Sequence, residues 1–146
     1  MTSLIVAEAL TIGVLSPIVS LSTNIICSIY YLISISKDDV DLQNLLSESD
    51  ILQDINVFKK VIEKYDDKEY EDKQHILLCI NSINEVLIEL DNIISLITDK
   101  IKRHNNKWFY YIRKYNIQKE KDCLINLIKK IHHRFEILIK VSSLKI

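Results

Sequence analysis

The sequence predicts an all-α fold, an antiparallel (up-and-down) four-helix bundle, and three observations carry the prediction. Gly and Pro occur once each in 146 residues, where about 7% and 5% are usual. Sheet-rich folds need a tight turn every 8–12 residues or so, and the residues that make such turns are missing. Apolar residues recur at helical spacing over several long stretches, above all between Ile76 and Ile101. A chain of this length fits one domain with a proper core, so 1–146 reads as a single helical-bundle domain.

The first element lies in the most unusual stretch of the chain. Between Glu8 and Lys37 stand 28 consecutive uncharged residues, and about 20 suffice to span a bilayer. No Lys or Arg precedes the apolar run, and Glu8 stands where a cleavable signal would carry positive charge. Ser16, Ser20, Ser22, Thr23, Asn24 and Ser28 make the centre semi-polar for a permanent span. Gly13 and Pro17 are expected to kink or split the segment near Pro17. They divide an apolar N-terminal arm, 1–16, from a helix over about 18–35.

Ser36 reads as the N-cap of the next helix, with Asp38 and Asp39 near the positive end of its dipole. From there Val40, Leu42, Leu45, Leu46, Leu52, Ile55, Phe58, Ile62 and Tyr65 recur at helical spacing to about Lys64. Ser47, Glu48, Ser49 and Asp50 weaken its middle. Asp66 to Lys73 then carries seven charges in eight positions and reads as a connection.

The third helix has the clearest signal. Ile76, Ile80, Ile83, Leu87, Leu90, Ile94, Ile97 and Ile101 alternate by four and three. Cys79, Val86 and Ile93 widen this stripe, which suits a bundle core better than a narrow two-stranded seam. A fourth helix over about 119–142 uses Leu124, Leu127, Ile128, Ile131, Phe135, Leu138 and Val141. A basic-aromatic link, 103–118, joins the third and fourth helices and has room for a further short helix.

Motifs for catalysis are lacking. There is no Gly-rich phosphate loop and no G-x-S-x-G, and the acidic pairs Asp38/Asp39 and Asp66/Asp67 fall in turns. His132 and His133 are neighbours on a helix and point about 100° apart, so they do not chelate one metal together. Glu85 and Glu89 lack the Glu-x-x-His partners of di-iron bundles. The chain therefore reads as a non-enzyme with no cofactor and no metal. Cys27, Cys79 and Cys123 are isolated in apolar runs, and the expectation is buried free thiols in a reducing cytosol.

The link and its flanks do carry a binding signal. Lys100, Lys102, Arg103, Lys107, Arg113, Lys114, Lys119 and Lys121 face a single acid, Glu120, and interleave with Trp108, Phe109, Tyr110, Tyr111 and Tyr115. Cations near an anionic membrane are worth about 1 kcal/mol each, and amphipathic rings favour the interface. The same composition suits stacked bases and phosphates. The net charge of −1 gives no global argument for nucleic acid.

At this point the residues resemble a family. Ala7-Glu8-Ala9-Leu10-Thr11-Ile12-Gly13-Val14, the apolar run to Tyr30-Tyr31, and Asp39-Val40-Asp41-Leu42-Gln43-Asn44-Leu45 resemble the start of fungal HeLo and HeLo-like domains. Asn105-Asn106-Lys107-Trp108-Phe109 and Asp122-Cys123-Leu124-Ile125-Asn126-Leu127 are similar to the later half of the four-helix domain of the mixed-lineage-kinase-domain-like pseudokinase. The resemblance is one of pattern over nearly the whole chain. It implies a cell-death-type bundle that oligomerises, is recruited to anionic membrane from the cytoplasm and permeabilises it. It also implies a regulatory domain or protein alongside, which makes this chain a stand-alone version or an excised domain. The pseudokinase places its lipid-binding cations on early helices, and here the first helix has none, so the fungal pattern fits better.

In that expectation Leu4, Ile5, Val6, Leu10, Ile12, Val14 and Leu15 insert into the membrane. Lys100, Lys102, Arg103, Lys107, Arg113 and Lys114 bind headgroups, and Trp108 anchors at the interface. The competing expectation is a helical adaptor or inhibitor in cell-death or immune signalling that docks onto another helical domain. A third is an integral protein with one N-terminal span.

Overall fold

The computed structural model describes residues 15–65, 74–106 and 116–143. Among them every regular element is an α-helix: α1 Leu15–Ile35, α2 Val40–Glu48, α3 Ile51–Tyr65, α4 Gln74–Asn105 and α5 Gln118–Ser143. The arm 1–14, the charged connection 66–73 and most of the basic-aromatic link lie outside the described residues, and with them the further short helix. The position of the expected kink or split, Pro17, falls in the first described turn of α1, which is helical from Leu15 on.

α1 buries Leu15, Ile18, Ser22, Ile25, Ile29 and Leu32, one face at helical spacing. Its semi-polar centre is compatible with that role because the hydroxyls turn back on their own helix. Ser22 Oγ donates to the Ile18 carbonyl at 2.9 Å and Thr23 Oγ1 to that of Val19 at 3.0 Å. Pro17 is exposed in the first described turn, where a missing N–H breaks no ladder within the described helix.

The turn after α1 corrects one expectation. Asp39, not Ser36, caps α2: its carboxylate accepts from the Leu42 N–H at 3.1 Å. Ser36 is buried and closes α1 instead, donating from Oγ to the Leu32 carbonyl at 2.6 Å. The Gln43 side-chain amide donates to the Ile33 carbonyl and to Ser36 Oγ, tying the start of α2 to the end of α1.

The weak middle of the expected second helix is a full break. Ser49 and Asp50 separate α2 from α3, and Asp50 has φ 60°. Asp is one of the few residues with a side chain that adopts this left-handed conformation readily. α3 then buries Ile51, Ile55, Phe58 and Ile62.

α4 follows the predicted stripe from Ile76 to Ile101 and extends it to the buried His104. At 32 residues it is about 48 Å long, given a rise of 1.5 Å per residue. α5 buries Leu124, Leu127, Ile128, Ile131, Phe135 and Leu138.

One core joins these faces. α4 and α5 share the most extensive contact, α1 packs on both α4 and α3, α3 packs on α5, and α2 rests on α1 and α3. The consecutive helices α3 and α4 share at most marginal contact among the described residues. Neighbours in sequence are therefore not all neighbours in space.

The cysteines depart from expectation. Cys27 and Cys123 are exposed and Cys79 is half-buried, all as free thiols, with burial pushing the Cys79 thiol up. Each sits on the flank or back of a helix whose core face is supplied by Ile and Leu, so an apolar neighbourhood in sequence did not mean burial.

Candidate membrane-binding surface

The outer side of α1 carries no charge. Ser16, Pro17, Ser20, Asn24, Cys27, Tyr30, Tyr31 and Ser34 are exposed along it. Tyr30 and Tyr31 are among the most exposed large rings, at 58% and 44%. Among the described residues α1 is the helix long and apolar enough to cross a bilayer, with mean hydropathy 1.7, and 28% of that window is buried in the bundle. A core helix of a soluble protein meets the same criterion.

α1 ends where cations gather. Lys102 on α4 sits 4.8 Å from the centre of the Tyr31 ring, a cation–π contact that joins the C-terminal turns of α1 and α4. Beside it, an open groove of about 420 Å³ runs between the two helices. It is lined by Cys27, Ser28 and Tyr31 from α1, and by Ser95, Thr98 and Asp99 from α4. The start of α5 belongs to the same end, because Lys121 Nζ lies 2.8 Å from the carboxylate of Asp39.

The cations differ in availability. Lys100 is bound to Glu120, a nearly buried acid in the first turn of α5. The Lys100 hydrogen bond holds the Glu120 carboxyl below the usual carboxylate range, against burial, which pushes it up. Lys121 is engaged by Asp39 in the same manner. These two pairs fasten the turn after α1 and the end of α4 to the start of α5. Lys102 and Arg103 are exposed and pair with no described carboxylate, and Lys37 and Lys119 are exposed at the same end.

The expected insertion residues Leu4, Ile5, Val6, Leu10, Ile12 and Val14 lie outside the described residues, as do Lys107, Trp108, Arg113 and Lys114. Leu15 is described and is 1% exposed in the core. The structure thus brings Lys102 against Tyr31, and Lys121 against Asp39 in the turn after α1, two residues beyond the exposed Lys37, which sequence reasoning had not attached to this surface. Only the folding of the turn after α1 against α5, through Asp39 and Lys121, reveals that this turn lies at the same end. Among the described residues there is no cluster of His, Cys, Asp and Glu suited to a metal ion.

No protein-family model matches the chain, and no solved structure matches it. An uncharacterised protein of Acanthamoeba polyphaga mimivirus is 35% identical over 95 residues, which is 63% of this chain and 43% of the viral protein. The chain therefore spans less than half the length of that relative.

Proposed function

We propose that this chain is a membrane-targeting helical bundle of the cell-death type, which self-associates on an anionic membrane and permeabilises it. The observation that carries the reading is the uncharged outer side of α1, which runs to Tyr30 and Tyr31 beside exposed Lys102 and Arg103. Soluble bundles ordinarily cover an outer helix face with charge. A face without charge beside a cationic, aromatic end matches the two chemistries of a lipid surface, tail and headgroup. The HeLo-like pattern of the sequence supports the same reading.

The up-and-down arrangement belongs to this proposal. Lys100 meets Glu120, and Arg134 donates to the Ser82 carbonyl at 2.6 Å, pairings that run in opposite senses along α4 and α5. Tyr31 meets Lys102 near the C-terminal ends of α1 and α4, so these neighbours run the same way. In this proposal α3, packed on α1 and on α5, runs opposite to α1, so that the bundle is two antiparallel pairs, α1 with α3 and α4 with α5.

In this mechanism the protein is cytoplasmic until recruited. Lys102 and Arg103 bind headgroups together with Lys107, Arg113 and Lys114 from the link, and Lys100 joins them on leaving Glu120. Trp108 anchors at the interface. Leu4, Ile5, Val6, Leu10, Ile12 and Val14 enter the hydrocarbon, and Leu15 marks where the arm leaves the core. A regulatory domain or protein controls release. Ile5→Glu and Leu10→Glu are expected to abolish dye leakage from anionic vesicles while helical content stays unchanged. Equal leakage by wild type and both variants removes the arm from the mechanism.

A second reading, a helical adaptor or inhibitor, is favoured by the other end of α4. There Leu78 and Ile137, 66% and 41% exposed, flank a groove of about 170 Å³ between α4 and α5 that also holds Cys79, Ser82 and Arg134. Helix-in-groove docking needs no lipid. A stoichiometric soluble partner, with no vesicle binding, decides for this reading.

A further inference from the structure

His132 stands on α5 with a carboxylate at each ring nitrogen. Nδ1 lies 3.0 Å from Oδ2 of Asp54, in the first turn of α3, and Nε2 lies 3.0 Å from Oε1 of Glu136, one turn further along α5. A neutral imidazole has one N–H, so it can donate to one of these oxygens and must set a lone pair against the other. Only the imidazolium satisfies both. Asp54 is 8% exposed, and a nearly buried carboxylate that loses its cation is costly.

We propose that His132 is a proton-tuned clamp between α3 and α5, tight while its imidazolium bridges Asp54 and Glu136 and weakened when the ring loses its proton and keeps a single N–H.

The place of the clamp gives it leverage. The contact of α3 with α5 is the least extensive of the four substantial contacts between long helices. Asp54 also follows directly on the break between α2 and α3, its N–H donating to the Asp50 carbonyl at 2.8 Å. Weakening the bridge therefore loosens the start of α3 close to where the backbone already bends. Asp54 faces the ring from α3 and Glu136 from its own helix; α4, also packed on α5, brings no described charge that acts on it.

The same geometry raises the proton affinity of His132, chiefly through the hydrogen bond and charge of Asp54, with burial opposing and Glu136 adding. The sign follows from linkage. A histidine with folded pKa above its unfolded value contributes stability that is full below about 6.5 and is lost as pH rises through the folded value. The clamp thus tightens on mild acidification and loosens toward alkaline pH. It operates whatever the bundle binds, since it needs only α3 and α5.

The test is an NMR titration of the histidine rings in the full chain, with the His132 resonance assigned by its loss in His132→Gln. His132 is expected to titrate above the ordinary value of about 6.5, and in Asp54→Asn to move back toward it. Thermal unfolding is the second readout. The melting temperature of the wild type should fall more than that of His132→Gln between about pH 6 and about pH 8.5. A ring that titrates at or below the ordinary value, or equal pH dependence in the two proteins, overturns the clamp. The wild-type titration alone decides the point if a variant fails to fold.

Discussion

α1 and α4 pack against each other and do the same work inward, yet they present opposite surfaces outward. Inward, α1 offers Ile18, Ile25, Ile29 and Leu32, while α4 offers Ile80, Leu87, Leu90 and Ile94, all nearly inaccessible to solvent. Outward, α4 exposes the charged Glu85, Glu89, Asp99 and Lys102 with Asn92, interspersed with Leu78, Ile88 and Leu96. α1 exposes Ser20, Asn24, Cys27, Tyr30, Tyr31 and Ser34. The core therefore explains the inner face of both helices and the outer face of only one. What the outer side of α1 lacks is charge, and folding stability does not require that lack.

The comparison breaks first at the core. If the inner faces are equivalent, Leu90→Ala on α4 and Ile25→Ala on α1 should each cost about 2–5 kcal/mol in denaturant unfolding. A cost below about 1 kcal/mol for Ile25→Ala alone would mean that α1 is only loosely held by the bundle.

The outer faces sharpen it with a smaller change. Asn24→Glu and Asn92→Glu add the same charge at exposed positions of α1 and α4. Each should alter stability by less than about 0.5 kcal/mol. Only Asn24→Glu should weaken vesicle binding, measured by co-sedimentation. Equal loss in both would reduce the effect to overall charge and remove the special role of α1.

Much of this architecture was legible in the sequence, and the reason is periodicity. The four-and-three alternation from Ile76 to Ile101 predicted which α4 residues are buried, because a helix repeats on that spacing whatever lies across from it. Other features depend on which helices become neighbours. The pairing of Lys100 with Glu120, of Lys121 with Asp39, and of His132 with Asp54 joins residues 20, 82 and 78 positions apart. No local pattern announces such pairs.

Lys100 consequently read as one more free cation in a basic run, although its partner Glu120 was visible as the lone acid there. Local chemistry misled in two places. Ser36 and Asp39 both suit an N-cap, and only the chain path puts the Asp39 carboxylate on the Leu42 N–H. The cysteines were read from apolar neighbours, but one flank of a helix can be apolar in sequence and open in space. The arm and most of the link lie outside the described residues, so the expectations for Leu4 to Val14 and for Lys107 to Lys114 rest on sequence alone.

The central claim is that the charge-free side of α1 and the cations beside Tyr31 together recognise an anionic lipid surface. Dye release from neutral and from anionic vesicles, at low and at high salt, tests it most directly. The account predicts leakage confined to anionic vesicles and suppressed by salt, because exposed charges separated by more than about 10 Å are screened at about 0.1 M. It also predicts roughly fivefold weaker vesicle binding for each of Lys102→Gln and Arg103→Gln, from about 1 kcal/mol per cation. A fully helical, well-folded protein that neither binds nor leaks either kind of vesicle at low salt would contradict the account.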